Sequence, residues 1–189
     1  MRTRLFSLLV VGSVFACAAC DEKPKTDGVL VANATTPANA ASDVSPPVPI
    51  VASAAVTAAD GSTKRTYSGD HFEVILSAPA CKAKTECNAQ ILISAKPGYH
   101  INDEYPYRFA AKSGGGVAFK GKATPEVFSK GDGDFSKASA SEGSIQVRYE
   151  ADGSAKKIPL SGLLKMSGCA ESACQIETPS VELDVPLAS

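Results

Sequence analysis

Two cysteine pairs hold most of the chemistry this sequence has to offer. "SGCAESAC" (Ser167 to Cys174) places Cys169 and Cys174 with four residues between them, and "ACKAKTECN" places Cys81 and Cys87 with five between them. Such pairs do one of three things: exchange disulfides, hold a metal, or cross-link a turn. Structural zinc sites favour two to four residues between paired ligands, so a four-cysteine zinc site fits this spacing poorly. His100, opening "HIND", is the residue that would extend such a site, and otherwise reads as an ordinary surface or core histidine. A reactive thiol needs a cation or a helix N-terminus beside it. The loop "AESA" between Cys169 and Cys174 instead carries Glu171, and the nearest cation in sequence is Lys165.

Two further cysteines lie near the start. Arg2 and Arg4, the apolar run "LFSLLVVGSVF" and the small-residue tract "ACAAC" read as an export signal. The run is too short to span a bilayer as a permanent helix. The combination resembles a bacterial lipoprotein signal, which implies a signal peptide over residues 1–19 and a diacylglycerol on Cys20, with Cys17 as the competing position. Cleavage after "ACA" by an ordinary signal peptidase would instead release a secreted protein. The lipid reading places the chain in the cell envelope, anchored to the inner or outer membrane and facing the periplasm or exterior. Removing Cys17 with the signal and assigning Cys20 to lipid leaves four cysteines. An even number in an exported domain points to two disulfides. Of the three connectivities the local one is favoured, Cys81 with Cys87 and Cys169 with Cys174, because each pair flanks a short loop between strands.

The elements that must position these residues are strands. The 189 residues carry a formal net charge of −1, no Trp and only two histidines, a balance that gives nucleic acid no basic surface to bind. No motif for a cofactor, a metal or a hydrolytic triad stands out, so neither cofactor nor metal is expected. Residues 20–64 are rich in Ala, Pro, Ser and Thr without sustained periodicity and read as a disordered tether. Its r.m.s. reach is roughly 35–40 Å. Within it "VPIVASAAV" is a candidate edge strand, with Pro46, Pro47 and Pro49 crowding its start.

Residues 65–189 alternate with period two. Phe72, Val74, Leu76 and Ala78 share one face, as do Ala89, Ile91, Ile93 and Ala95. Ile145, Val147 and Tyr149 form a third such face, Ile158, Leu160, Gly162, Leu164 and Met166 a fourth, and Val181, Leu183, Val185 and Leu187 a fifth. Tyr105–Lys112, Gly116–Lys120 and Asp134–Ser141 are weaker strands. Asp152-Gly153 signals a hairpin turn, and "TPEVFSK" (Thr124 to Lys130) a short helical turn. Seven or eight strands of this kind predict an all-β domain, an immunoglobulin-like antiparallel β-sandwich.

"GCAESACQIETPSVELDVPL" (Gly168 to Leu187) and "GYHIN" (Gly98 to Asn102) together resemble the N-terminal periplasmic domain of the disulfide reductase DsbD. The resemblance spans about Tyr67 to Leu187. It implies an immunoglobulin-like fold whose redox pair, here Cys169 and Cys174, exchanges disulfides with thioredoxin-like partners. Gln175-Ile176-Glu177 replaces the Tyr-Pro-Pro of that family, and Phe128 or Phe135 is the nearest candidate for its aromatic cap. Two functions are therefore expected of the chain. One is a lipid-anchored binding or structural module engaging another envelope protein, with both disulfides inert. The other is a thiol-disulfide oxidoreductase acting through Cys169 and Cys174 on a thioredoxin-like partner.

Overall fold

The computed structural model describes residues 50–188. The signal segment 1–19, Cys17, Cys20 and most of the expected tether lie outside the described residues. The described residues form strands joined by turns and loops, without a helix. Fifteen strands, numbered in chain order, divide between two sheets.

The first sheet contains β1 (Val51–Ala52), β2 (Val56–Thr57), β3 (Thr63–Ser68), β4 (Phe72–Ala78), β6 (Glu86–Ala95), β9 (Val117–Phe119), β11 (Phe135–Lys137) and β12 (Glu142–Ala151). The second contains β5 (Cys81–Lys82), β7 (His100–Ile101), β8 (Arg108–Ala111), β10 (Val127–Ser129), β13 (Lys157–Cys169), β14 (Cys174–Glu177) and β15 (Ser180–Ala188). Every pairing is antiparallel except β5 with β15. The result is the immunoglobulin-like antiparallel β-sandwich predicted from the alternation.

The core follows the period-two pattern. Phe72, Val74 and Leu76 on β4, Ile91 and Ile93 on β6, and Ile145, Val147 and Tyr149 on β12 are all at most 1% exposed. Leu160, Leu164 and Met166 on β13 and Val181, Leu183 and Val185 on β15 complete the interior from the second sheet. Fully burying each large apolar side chain is worth about 1.5–3 kcal/mol. Inward-facing rows of this kind therefore set the register, because a one-residue slip would turn each set to solvent.

Three expectations change. Asp152-Gly153 does not close a hairpin: β12 pairs with β6, β9 and β11, whereas β13 pairs with β15, β14, β8 and β7. The local reversal is real, with Gly153 at φ +86° and the Ser154 N–H donating to Asp152 Oδ1 at 2.7 Å. The chain nonetheless crosses to the other sheet, because β12 and β13 each carry an apolar face that the core must bury. Thr124–Lys130 is a turn leading into β10 rather than a helical turn, since Phe128 pairs opposite Phe109 and is wholly buried. The sheet also begins before residue 65. β3 starts at Thr63; the edge strand expected within "VPIVASAAV" is present as β1, and β2 follows at that segment's end, both on the outer side of β3.

One edge is closed by a side chain. Tyr67, 3% exposed, directs its hydroxyl at the backbone of Glu182 on β15, accepting from the Glu182 N–H at 2.6 Å and donating to the Glu182 carbonyl. Arg65 lies over the Tyr67 ring and bonds the Glu182 carboxylate at 2.8 Å. Backbone groups that would otherwise be open to a further strand are thereby occupied.

Candidate functional site

β13 is long enough to serve two neighbourhoods. Its first half pairs with β15 and its last residues with β14, so that Cys169 stands directly opposite Cys174. Between them Ala170 donates its N–H to the Ala173 carbonyl at 2.9 Å. By the alternation of an antiparallel ladder, Cys169 and Cys174 then form a non-hydrogen-bonded pair, the closer of the two kinds. The two are joined as a disulfide with Cα atoms 3.9 Å apart. Access to it is uneven: Cys169 is 8% exposed, whereas Cys174 is exposed at the outer edge of β14.

Several contacts fix this hairpin to the sandwich. A Cβ on Gly168 would meet Phe72 Cζ at 2.5 Å, so the strand lies as close to the core as glycine allows. The Ser167 carbonyl accepts from the Tyr107 hydroxyl and from the Asn102 N–H at 3.1 Å. The Tyr107 ring in turn stacks on Phe135 at 4.4 Å. At the far end of β14, Glu177 points inward with its side chain 2% exposed. Its Oε1 accepts from the His71 backbone N–H at 3.1 Å and meets His71 Nδ1 at 2.8 Å. Glu177 Oε2 lies over Gly69, where a Cβ would come within 2.5 Å. His71 also meets Tyr99 edge-on at 4.7 Å between ring centres.

On its other side the end of β13 pairs with β7, which places His100 opposite Cys169. Just beyond, Asp103 accepts from Lys137 Nζ at 2.7 and 2.8 Å. That bond, with smaller contributions from Lys137, Lys130 and His100 as charges, holds the Asp103 carboxyl below the usual range.

Cys81 and Cys87 form the second disulfide, with Cα atoms 5.7 Å apart. Unlike Cys169 and Cys174 they do not face each other in a ladder. Cys81 sits in β5 opposite Leu187 of β15, and Cys87 in β6 opposite Tyr149 of β12. This bond therefore joins the two sheets, beyond the loop-ordering role that its short ring suggests. Both residues are buried, at 1% and 8% exposed.

All four sulfurs are thus tied up in disulfides rather than grouped as metal ligands. Of the two rings proposed as a cap, Phe128 belongs to the interior, packed with Phe109 and Phe119 under Arg148, whereas Phe135 is half-buried and stacks on Tyr107. The His71–Glu177 pair escaped the sequence because its members are 106 positions apart. Its one trace is parity, which puts Glu177 on the same side of the hairpin as Met166. No family model, no curated protein and no solved structure matches the chain.

Proposed function

We propose that this is a lipid-anchored protein of the cell envelope that displays a β-sandwich binding or structural module, with both disulfides acting as fixed cross-links. The observation that carries the reading is the placement of the two bonds. One ties the two sheets through buried sulfurs, and the other closes a four-residue loop between strands already paired and anchored through Gly168, Ser167 and Glu177. Cross-links of this sort suit a domain that must keep its shape outside the cytoplasm.

The lipid is tested by expressing the full chain and a Cys20→Ala variant with labelled palmitate. Label and membrane association are expected in the parent and lost in the variant; an unlabelled parent, or a variant that stays labelled, overturns the anchor. Inertness of the hairpin bond is tested by its reduction potential, expected below about −300 mV for a structural disulfide.

A second reading, thiol–disulfide exchange through Cys169 and Cys174, is favoured by the uneven access to that bond. An incoming thiolate reaches Cys174, and the bond then breaks toward the covered Cys169. The resemblance of Gly168–Leu187 to the DsbD N-terminal domain points the same way. Its test is capture: a Cys169→Ser variant whose Cys174 is activated with thionitrobenzoate forms a mixed disulfide with a thioredoxin-like protein whose second active-site cysteine is serine, releasing thionitrobenzoate and leaving no thiol to resolve the adduct. Capture, together with a potential well above the structural range, would replace the first reading by the second.

A further inference from the structure

We infer that His100 is a positioning residue for the Cys169–Cys174 bond, supplying positive charge to the thiolate that forms on Cys169 when the bond is opened. The inference rests on the exchange reading above.

Its basis is a single row of three residues. His100 on β7 is registered with Cys169 on β13, and Cys169 with Cys174 on β14. Residues registered across an antiparallel ladder project from the same face, with Cβ atoms about 4.5–5.5 Å apart. That face is the outer one. The preceding row, Ile101 with Gly168, turns inward, since Ile101 is 1% exposed and Gly168 lies against Phe72. His100 is exposed, so its imidazole stands in solvent beside the bond. The sequence places no cation within the Cys169–Cys174 loop, but the fold brings one to the cysteine from the neighbouring strand.

The other charged groups near the row carry both signs. Asp103, just after β7, is engaged by Lys137 Nζ, and Lys130 donates to the Asp103 carbonyl. Glu171 lies in the hairpin turn, Lys165 is exposed four positions back along β13, and Glu142 is exposed at the start of β12. The Ile101 N–H is fixed to the Ala140 carbonyl at 2.8 Å, which holds β7 and with it His100 in place.

The step balances as an ordinary exchange. A dithiol partner, acting as a thiolate, attacks Sγ of Cys174. A new S–S bond forms to the partner, the Cys169–Cys174 bond breaks, and its electron pair leaves on Sγ of Cys169 beside the protonated imidazole. The partner's second thiolate then attacks its own sulfur in the mixed disulfide and releases Cys174 as a thiolate. The partner's dithiol becomes a disulfide, this chain's disulfide becomes two thiols, and two electrons have moved. A thiol of lower pKa leaves faster, and a neighbouring imidazolium lowers it.

The test uses the oxidised full chain, with dithiothreitol as the probe. Initial rates of opening of Cys169–Cys174 are read by alkylation and mass spectrometry and divided by the dithiothreitol thiolate concentration. In the parent the normalised rate is expected to fall by about three- to tenfold as pH rises from about 5 to 8, the span in which histidine sheds its charge. His100→Gln should give a flat profile at the low level, and His100→Lys a flat profile at the high level. Matching profiles for parent and His100→Gln, with both folded by circular dichroism, overturn the inference. So does a lysine variant no faster than the glutamine one. Failure of Cys169→Ser to capture a thioredoxin-like protein would instead sink the exchange reading, and it leaves these profiles untouched.

Discussion

Cys81 and Cys87 stand six positions apart in the chain yet belong to opposite sheets, one paired with β15 and the other with β12. A bond that closes so small a ring is worth only about 2 kcal/mol through loop entropy. Its position gives it a second role, because opening it unties the layers where β5 meets the end of β15.

The two disulfides should therefore open in a fixed order. Mild reductant is expected to open Cys169–Cys174 while the sandwich stays folded, since Cys174 is exposed, and to open Cys81–Cys87 only on unfolding. Stepwise alkylation and peptide mapping would read the order. Simultaneous opening, or Cys81–Cys87 first, would contradict it.

Removing the buried carboxylate beneath the hairpin should cost more than removing its partner. Glu177→Ala deletes the acceptor of the part-buried His71 N–H and the partner of His71 Nδ1, an expected loss of about 2–3 kcal/mol. His71→Ala should cost less, about 1–2 kcal/mol, because its side chain is 22% exposed and water can take its place. Urea titrations of both variants would show the ranking, and a reversed ranking would mean that the pair does not hold β14.

Tyr149 provides a pH signature. Its hydroxyl is buried without a hydrogen-bond partner among the described residues, and burial pushes its pKa up to about 12. An unfolded tyrosine ionises near about 10. The stability held through Tyr149 is thus complete below pH 10 and is lost as pH rises through about 12. Burial also raises Tyr67 and Tyr107, so Tyr149→Phe should reduce this alkaline loss without abolishing it. At neutral pH the substitution should leave stability unchanged or raise it by up to about 1 kcal/mol. A variant clearly weaker at neutral pH would reveal a partner for the hydroxyl.

Tyr67→Phe removes both bonds to the Glu182 backbone and should destabilise by about 1–2 kcal/mol. It also reopens a strand edge, so self-association should rise with concentration. Denaturant midpoints combined with light scattering check both effects. A variant as stable and as monomeric as the parent would show that the hydroxyl does not guard the edge.

What the sequence could reveal was set by the range of the forces involved. Alternation reports which side of a strand is apolar, so the inward sets on β4, β6, β12, β13 and β15 were legible from residues a few positions apart. Asp152-Gly153 reports a chain reversal but not which sheet receives the next strand, a choice made by burial of two remote faces. β3 was obscure because, in "TKRTYS", Tyr67 is the one large apolar residue turned inward. Both disulfide pairings could be read from their short loops, whereas the distinction between a ladder cross-link and an inter-sheet tie depends on which sheet β5 joins. The juxtaposition of His100 with Cys169 comes from register alone, and no local signal carried it.

The short strands at the start of the domain give it a mechanical character. β1 and β2 each meet β3 through two residue pairs and have only exposed side chains, while β3 meets β4 through six pairs. Tension applied from the N-terminus loads these small ladders one at a time, as in a zip, and the weakest contacts yield first. Peeling them would release chain while the six-pair β3–β4 ladder and the buried layers stay closed.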